Sequence, residues 1–196
     1  EHANLLDNAR LTASIMQQEQ ASCKPFHHHP AIQVWLQQYA QAVGEQYRFK
    51  TLLLRGPSRS GKTQKACSIF GFEHTLVGNC QGMGAHLPYL GMVDRSLHRA
   101  LVLDEASYEQ VVGNKQFFQA GARSVRLGQS PCNQHSYSVF VYMLPIILCS
   151  NVFPMSQAEG LSADDEDWLQ ANVVDVPAPV AGKWWVDDLE WGLDEA

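Results

Sequence analysis

The sequence predicts an α/β fold: a three-layer core with a central, mostly parallel sheet, preceded by a small helical segment. Three stretches carry that prediction. The strand-forming run Thr51-Leu52-Leu53-Leu54 leads into Gly56-Pro57-Ser58-Arg59-Ser60-Gly61-Lys62-Thr63, which fits G-x-x-x-x-G-K-[ST] between a strand and a helix. Arg99 to Asp104-Glu105 is a second strand-forming run, ending in two carboxylates, and Val139 to Leu148 is a third, running into Cys149-Ser150-Asn151. Strands that each end in a chemically useful residue, with helix-forming stretches between them, are the pattern of a P-loop NTPase core.

The 196 residues, 45% of them hydrophobic, suffice for one packed domain with appendages. They divide into a helical segment and linker over 1–50, a core over 51–154 and an acidic, Trp-containing tail over 155–196. The formal net charge of −6 argues against coating nucleic acid by bulk charge, but leaves room for a channel lined locally by Lys and Arg. Five Cys without C-x-x-C pairing read as reduced thiols of an intracellular protein. No signal peptide is visible, and no apolar run reaches the roughly 20 residues of a membrane span, so no membrane partner is expected. The chain begins at Glu1 rather than Met, as an excised domain or processed product would.

Residues 1–22 carry a weak helical pattern around Leu5, Leu6, Ile15 and Met16. His27-His28-His29 lies in a loop bounded by Pro25 and Pro30. Adjacent residues there cannot easily converge on one ion, so an exposed polar loop is expected rather than a metal site. From Ala31 to Tyr47, Ile32, Trp35, Leu36, Tyr39, Ala40 and Val43 recur at three- and four-residue steps, the mark of a helix with one apolar face.

In the loop that follows the first strand, Gly56 and Gly61 tolerate backbone conformations that let successive N–H groups point at a polyphosphate. The next helix adds its positive end. Lys62 reaches the β and γ phosphates in such loops and the Thr63 hydroxyl holds Mg²⁺, which makes ATP with Mg²⁺ the expected ligand pair. The helix through Ala66, Ile69 and Phe70 should stop at Gly71, followed by a strand over Glu73–Gly78 and a loop with a short helix over Asn79–Met92.

The interval from Lys62 to Asp104 leaves room for one helix, one strand and a connection, as a parallel sheet requires. Asp104 is then placed to hold Mg²⁺ and Glu105 to act as general base on water. Tyr108–Gly121 reads as a helix, and Arg123–Tyr137 as a polar, cationic, turn-rich stretch. After the last apolar strand, the Asn151 carboxamide can both donate and accept, suiting it to hold water or touch a γ-phosphate. Past Pro154 acids dominate, with Trp168, Trp184, Trp185 and Trp191 among them and a linker over Pro177–Gly182. A loosely packed terminus is the simpler expectation for this tail. Docking on a partner or folding back on the core are the alternatives.

The series GPSRSGKT, ALVLDE and IILCSN resembles the motifs of superfamily-3 helicases, and within them the helicase half of replication-associated (Rep) proteins of circular single-stranded DNA viruses and plasmids. The resemblance spans about residues 31–154. It implies an AAA+-like core that hydrolyses ATP with Mg²⁺ and assembles into a homo-oligomeric ring, commonly a hexamer, on single-stranded DNA. Lys62 and Thr63 would be the phosphate and metal contacts, Asp104 and Glu105 the acids of the second motif, and Asn151 the sensor of the third. The chain departs from the pattern in three places. Residues 1–30 carry no endonuclease motif. Where the family's DNA-contacting loop has a Lys, this chain offers His135, with Arg123 and Arg126 upstream. No Arg follows Asn151 to act as the finger worth about 10³ to 10⁵ in rate in related enzymes, leaving Arg95, Arg99, Arg123 and Arg126 as alternatives. Two other functions compete: a nucleotide-binding assembly module that has lost unwinding, and a small-molecule P-loop kinase, for which no Arg-rich lid stands out.

Overall fold

A computed structural model describes residues 15, 18, 24–42, 49–128, 136–179 and 182–186. The helix expected over 1–22 lies outside them except at Ile15 and Gln18, as do the end of the helix expected over 31–47, His135 and Trp191. In chain order the elements begin with α1 (Pro30–Ala42), β1 (Thr51–Arg55), α2 (Lys62–Phe70), β2 (Thr75–Asn79) and β3 (Ala100–Asp104). Next come α3 (Tyr108–Gly113), α4 (Lys115–Phe118), β4 (Val125–Leu127) and β5 (Tyr137–Val139). Last are β6 (Ile146–Ser150), α5 (Ala163–Asn172) and β7 (Val173–Pro177). Among the described residues one sheet has the order β2-β3-β6-β1-β7, every neighbour parallel, and β4 pairs antiparallel with β5 in a separate hairpin.

A parallel sheet covered on both faces needs strands apolar on both sides, and alternate residues must serve opposite layers. That is what the leucine-rich runs do. Leu53, Leu101, Leu103, Ile146 and Leu148 face one cluster with Val111, Phe117 and Phe118 of the α3–α4 region, Val139 of the hairpin and Leu169 of α5. Leu52, Leu54, Val102, Ile147 and Cys149 face the other, with Ile32 and Trp35 of α1, Ala66 and Cys67 of α2, and Trp184. The result is an α/β structure of three layers.

The expected helix α1 is present, and its Trp35 is buried with its indole N–H donating to the Lys50 carbonyl at 2.7 Å. Helix α2 ends at Gly71, whose φ of 92° closes it as the sequence predicts. The second strand starts later than expected because Phe72–His74 forms a 3-10 turn first. The short helix expected within 79–92 does not form. Turns occupy that stretch, and the Gln110 amide ties them down by donating to the carbonyls of Cys80 and His86.

The single helix expected over Tyr108–Gly121 is broken at Asn114, whose φ of −127° and ψ of 35° are not helical. Ser107 and Gln110 form a capping box that fixes the start of α3. The apolar run Val139–Leu148 also divides. Val139 belongs to the hairpin, while Val141 and Leu144 are buried in a turn closed by the Leu144 N–H on the Val141 carbonyl at 2.9 Å. Pro145, which has no N–H, then precedes β6, a place a proline can occupy.

The largest correction concerns the acidic segment. Residues assigned to a tail beyond 154 supply α5 and the edge strand β7, which pairs with β1 along its whole length. Asp164, Asp165 and Glu166 fill the first turn of α5, where carboxylates favour the positive end of a helix. Val173 and Val176 are buried, and Arg55 Nε donates to Asp175 at 2.7 Å, so β7 is tied across the sheet edge. Asp165 and Asp175 are thus structural.

Asp165 also accepts from Lys115 Nζ and from the Tyr108 hydroxyl, both at 2.7 Å, fastening α5 to α3 and α4. The Lys115 hydrogen bond, then those of Tyr108 and Ser162, hold its carboxyl down at about 2. A depressed carboxylate contributes stability above its unfolded value and loses it as pH falls toward the folded value. The expected result is that the Asp165→Asn variant loses about 1 kcal/mol at neutral pH and shows a shallower further loss between about pH 4 and 2, read by denaturant melts across that range. Equal slopes for both proteins in that window would show that the tether does not form.

Candidate functional site

The site is built at the C-terminal ends of β1, β6 and β3, three neighbouring strands. The main chain locks these tips together: Gly56 N–H donates to the Ser150 carbonyl at 3.3 Å and Ala106 N–H to that of Cys149 at 3.0 Å. The buried Ser150 hydroxyl adds a bond to the Ala106 carbonyl at 2.8 Å. Each strand then delivers the residue that follows it: Gly56 after β1, Asn151 after β6 and Glu105 after β3.

From Gly56 the chain turns tightly into α2. A Cβ at Gly56 would meet Ala178 Cβ at 2.9 Å, so only glycine fits beneath the strap that follows β7. Gly61 has φ 86°, and Arg59 takes a left-handed φ of 60°, the kind of backbone from which anion-binding concavities of N–H groups are built. Lys62 opens α2 and is 5% exposed. Its ammonium donates to the carbonyls of Gly56 and Pro57 at 3.1 and 2.9 Å and to Asn151 Oδ1 at 2.7 Å. Among the described residues no carboxylate pairs with it. The other end of the Asn151 amide donates to Glu105 Oε2 at 2.8 Å, and the Thr63 hydroxyl donates to Asp104 Oδ1 at 2.7 Å.

One chain of contacts therefore joins Lys62 to Asn151 and Asn151 to Glu105, with Thr63 and Asp104 joined beside it. Glu105 holds φ 54°, left-handed for a residue with a side chain, at the point where the strand must turn its carboxylate toward the loop. Behind the site the Cys80 thiol is pushed up to about 12 by burial and by Asp104, which keeps it a neutral packing group. Among the described residues Cys80 and Cys149 are thiols outside any disulfide.

Two hollows flank the loop. One, of about 330 Å³, is lined by Arg59 to Gln64, Glu105 and Trp185. The other, of about 920 Å³, lies across Gly56, Pro57 and Asn151 and is walled by Val152, Phe153 and Pro177. The first fits a polyphosphate. It joins the Lys62 ammonium and the buried Ser60 hydroxyl, which among the described residues have no acidic partner and no hydrogen-bond partner respectively. Thr63 and Asp104 present hard oxygen donors side by side, a fit to Mg²⁺, which takes few protein ligands and completes its shell with phosphate and water.

Lys62, Thr63, Asp104, Glu105 and Asn151 thus come together with the Gly56–Thr63 turn. The cationic candidates do not join them. Arg123 and Arg126 are exposed on the hairpin side and line neither hollow, and Arg126 donates to Ser136 at 2.7 Å. Arg99 precedes β3, at the opposite end of that strand from Asp104.

Sequence reasoning passed over Trp185. Trp184 sits at a bend and Trp185 in an isolated antiparallel bridge with Phe26. Trp184 is fully buried with α1 and α2, while Trp185 lies against Gly61. The loop between the two prolines, expected to be an exposed polar stretch, is half-buried at Phe26, His27 and His29, and His27 N–H donates to the Trp184 carbonyl at 2.9 Å. The adjacent Trp pair was the available signal. No protein-family model matches this chain, and no curated protein matches it.

Proposed function

We propose that the chain is a P-loop NTPase of AAA+-like type that binds ATP with Mg²⁺ at Gly56–Thr63 and hydrolyses it. The observation that carries the reading is the hydrogen-bonded convergence of Lys62, Asn151 and Glu105 beside the Thr63–Asp104 pair. In this reading the Lys62 ammonium and the N–H groups of the turn bind the β and γ phosphates. Bound Mg²⁺, held by Thr63 and Asp104, would supply the Lewis acid that neutralises developing phosphate charge. Glu105 orients water and accepts its proton, and Asn151 holds the Glu105 carboxylate at a fixed distance from Lys62.

The resemblance to superfamily-3 helicases extends the proposal to a motor: ATP turnover drives a homo-oligomeric ring along single-stranded DNA inside the cell. The strand order supports it, because β6 lies between β1 and β3 and brings Asn151 between the loop and the acids. Arg123 and Arg126 are exposed and available to a polyanion. A second reading, a nucleotide-driven assembly module without unwinding, is favoured by the absence of an Arg from residues 152–196.

Phosphate release from ATP with and without single-stranded DNA tests both. The motor predicts turnover that DNA raises several-fold, together with strand separation on a labelled fork. The assembly module predicts ATP-dependent growth in particle mass with neither effect. A chain that neither binds nor hydrolyses ATP would end both readings.

A further inference from the structure

The loop's polar concavity accounts for the phosphates of a nucleotide but not for the aromatic wall beside it. Trp185 is half-buried, in contrast to Trp184 next to it, and its open portion lines the same 330 Å³ hollow as Lys62 and Thr63. A Cβ at Gly61 would fall inside van der Waals contact with Cε3 of that indole and 2.7 Å from Cζ3, so the ring rests directly on the loop backbone.

Its placement is enforced by main-chain bonds on both sides. Trp184 N–H donates to the Ser60 carbonyl at 2.8 Å, and Val186 N–H donates to the Pro25 carbonyl at 2.8 Å. Phe26 and Trp185 pair as an isolated antiparallel bridge, and Lys65 of α2 sits 5.4 Å over the Phe26 ring. Two distant stretches, 25–27 and 184–186, thus clasp each other over the start of α2 and carry the indole to the rim of the cleft. A side chain serving only to fill the core would gain more by burial, as Trp184 does.

We infer that Trp185 is the base-stacking residue of the nucleotide site. The hollow is amphiphilic in the sense a nucleoside triphosphate requires: cationic and hydroxyl-bearing at Lys62, Ser60 and Thr63, aromatic at Trp185, with the exposed Gln64 amide on the same rim able to donate to and accept from a ribose or base edge. An indole face accepts any base, because every base has a π-face, so the contact supplies affinity for nucleoside over bare polyphosphate rather than the identity of the base. The inference rests on the nucleotide reading above, and its test separates the two.

Titrate the full chain, with Mg²⁺, against ATP and against inorganic tripolyphosphate by calorimetry, for wild type, Trp185→Ala and Trp185→Phe. The expected result is that Trp185→Ala weakens ATP by about 5- to 150-fold, the size of one aromatic stacking contact, leaves tripolyphosphate within about twofold, and that Trp185→Phe recovers most of the loss. Equal weakening of both ligands would make Trp185 a prop for the loop, and tighter binding of both would make it a plug. Either result overturns the assignment, as does no change in either. If wild type binds tripolyphosphate and ATP equally well, stacking is refuted while the phosphate site stands. If wild type binds neither, the nucleotide reading fails and this inference with it.

Discussion

The Lys62→Ala variant is expected to lose ATP turnover by a factor on the order of 10² to 10³ or more while remaining folded. The reason is the peculiar position of its ammonium. It is nearly buried, yet its partners are two carbonyls and an amide, all neutral. Burying a charge without an opposite charge is costly, and hydrogen bonds to neutral oxygens offset only part of that cost. A polyphosphate laid in the concavity completes the compensation, so the same feature that strains the free protein favours the ligand.

Alanine removes both effects. The three acceptors left behind open on a cleft that water enters, so the loss of stability should stay within about 1 to 2 kcal/mol. What changes is the ligand's effect on melting. Wild type at a hundredfold excess of ATP over its dissociation constant should gain about 2.7 kcal/mol, and the variant almost none. Lys62→Arg should fail too, because a planar guanidinium does not fit the three convergent acceptors that a compact ammonium satisfies. Phosphate release measured beside thermal melts checks each point, and undiminished turnover in Lys62→Ala would remove the loop from the chemistry.

The parts of the fold legible in the sequence are those where local pattern and tertiary demand agree. Leu52–Leu54, Leu101–Leu103 and Ile147–Cys149 are apolar without interruption because both faces of their strands are covered. Trp35 and Ile32 repeat at helical spacing because α1 buries one side. Asp104, Glu105 and Asn151 stand at strand ends, so finding the strands also found them, while Lys62 was legible from the G-x-x-x-x-G-K-[ST] loop after β1.

The misreadings share a cause. Strand β7 needs only Val173 and Val176 to face inward, and its short run was masked by the acids of α5 before it and the Trp-rich stretch after it. The β-branched Val173-Val174 and the following Val176-Pro177 were its signal. The hairpin strands β4 and β5 are three residues each, too short for alternation to register. Trp185 was invisible as a site residue because its role depends on the clasp between residues 25–27 and 184–186, a contact that no local pattern encodes.

The pair of variants Glu105→Gln and Glu105→Gly separates chemistry from architecture at the second strand tip. Glutamine keeps the shape of the side chain and an oxygen that can still accept from Asn151 Nδ2, but it cannot take a proton. Turnover should fall by about 10² to 10⁴, with ATP affinity unchanged within a few-fold, because the lost interaction forms only as water is deprotonated. Glycine removes the carboxylate and also relieves the left-handed φ of 54°, a conformation that costs a residue with a Cβ about 1 to 2 kcal/mol. The greater chain entropy of unfolded glycine returns part of that, so Glu105→Gly should melt as high as wild type or up to about 1 kcal/mol more stable, and be equally inactive. Stability held or raised while turnover collapses is the signature of a residue strained for its chemistry. A Glu105→Gln variant that hydrolyses ATP at the wild-type rate would move the proton acceptor elsewhere, and the strain at Glu105 would then belong to the turn alone.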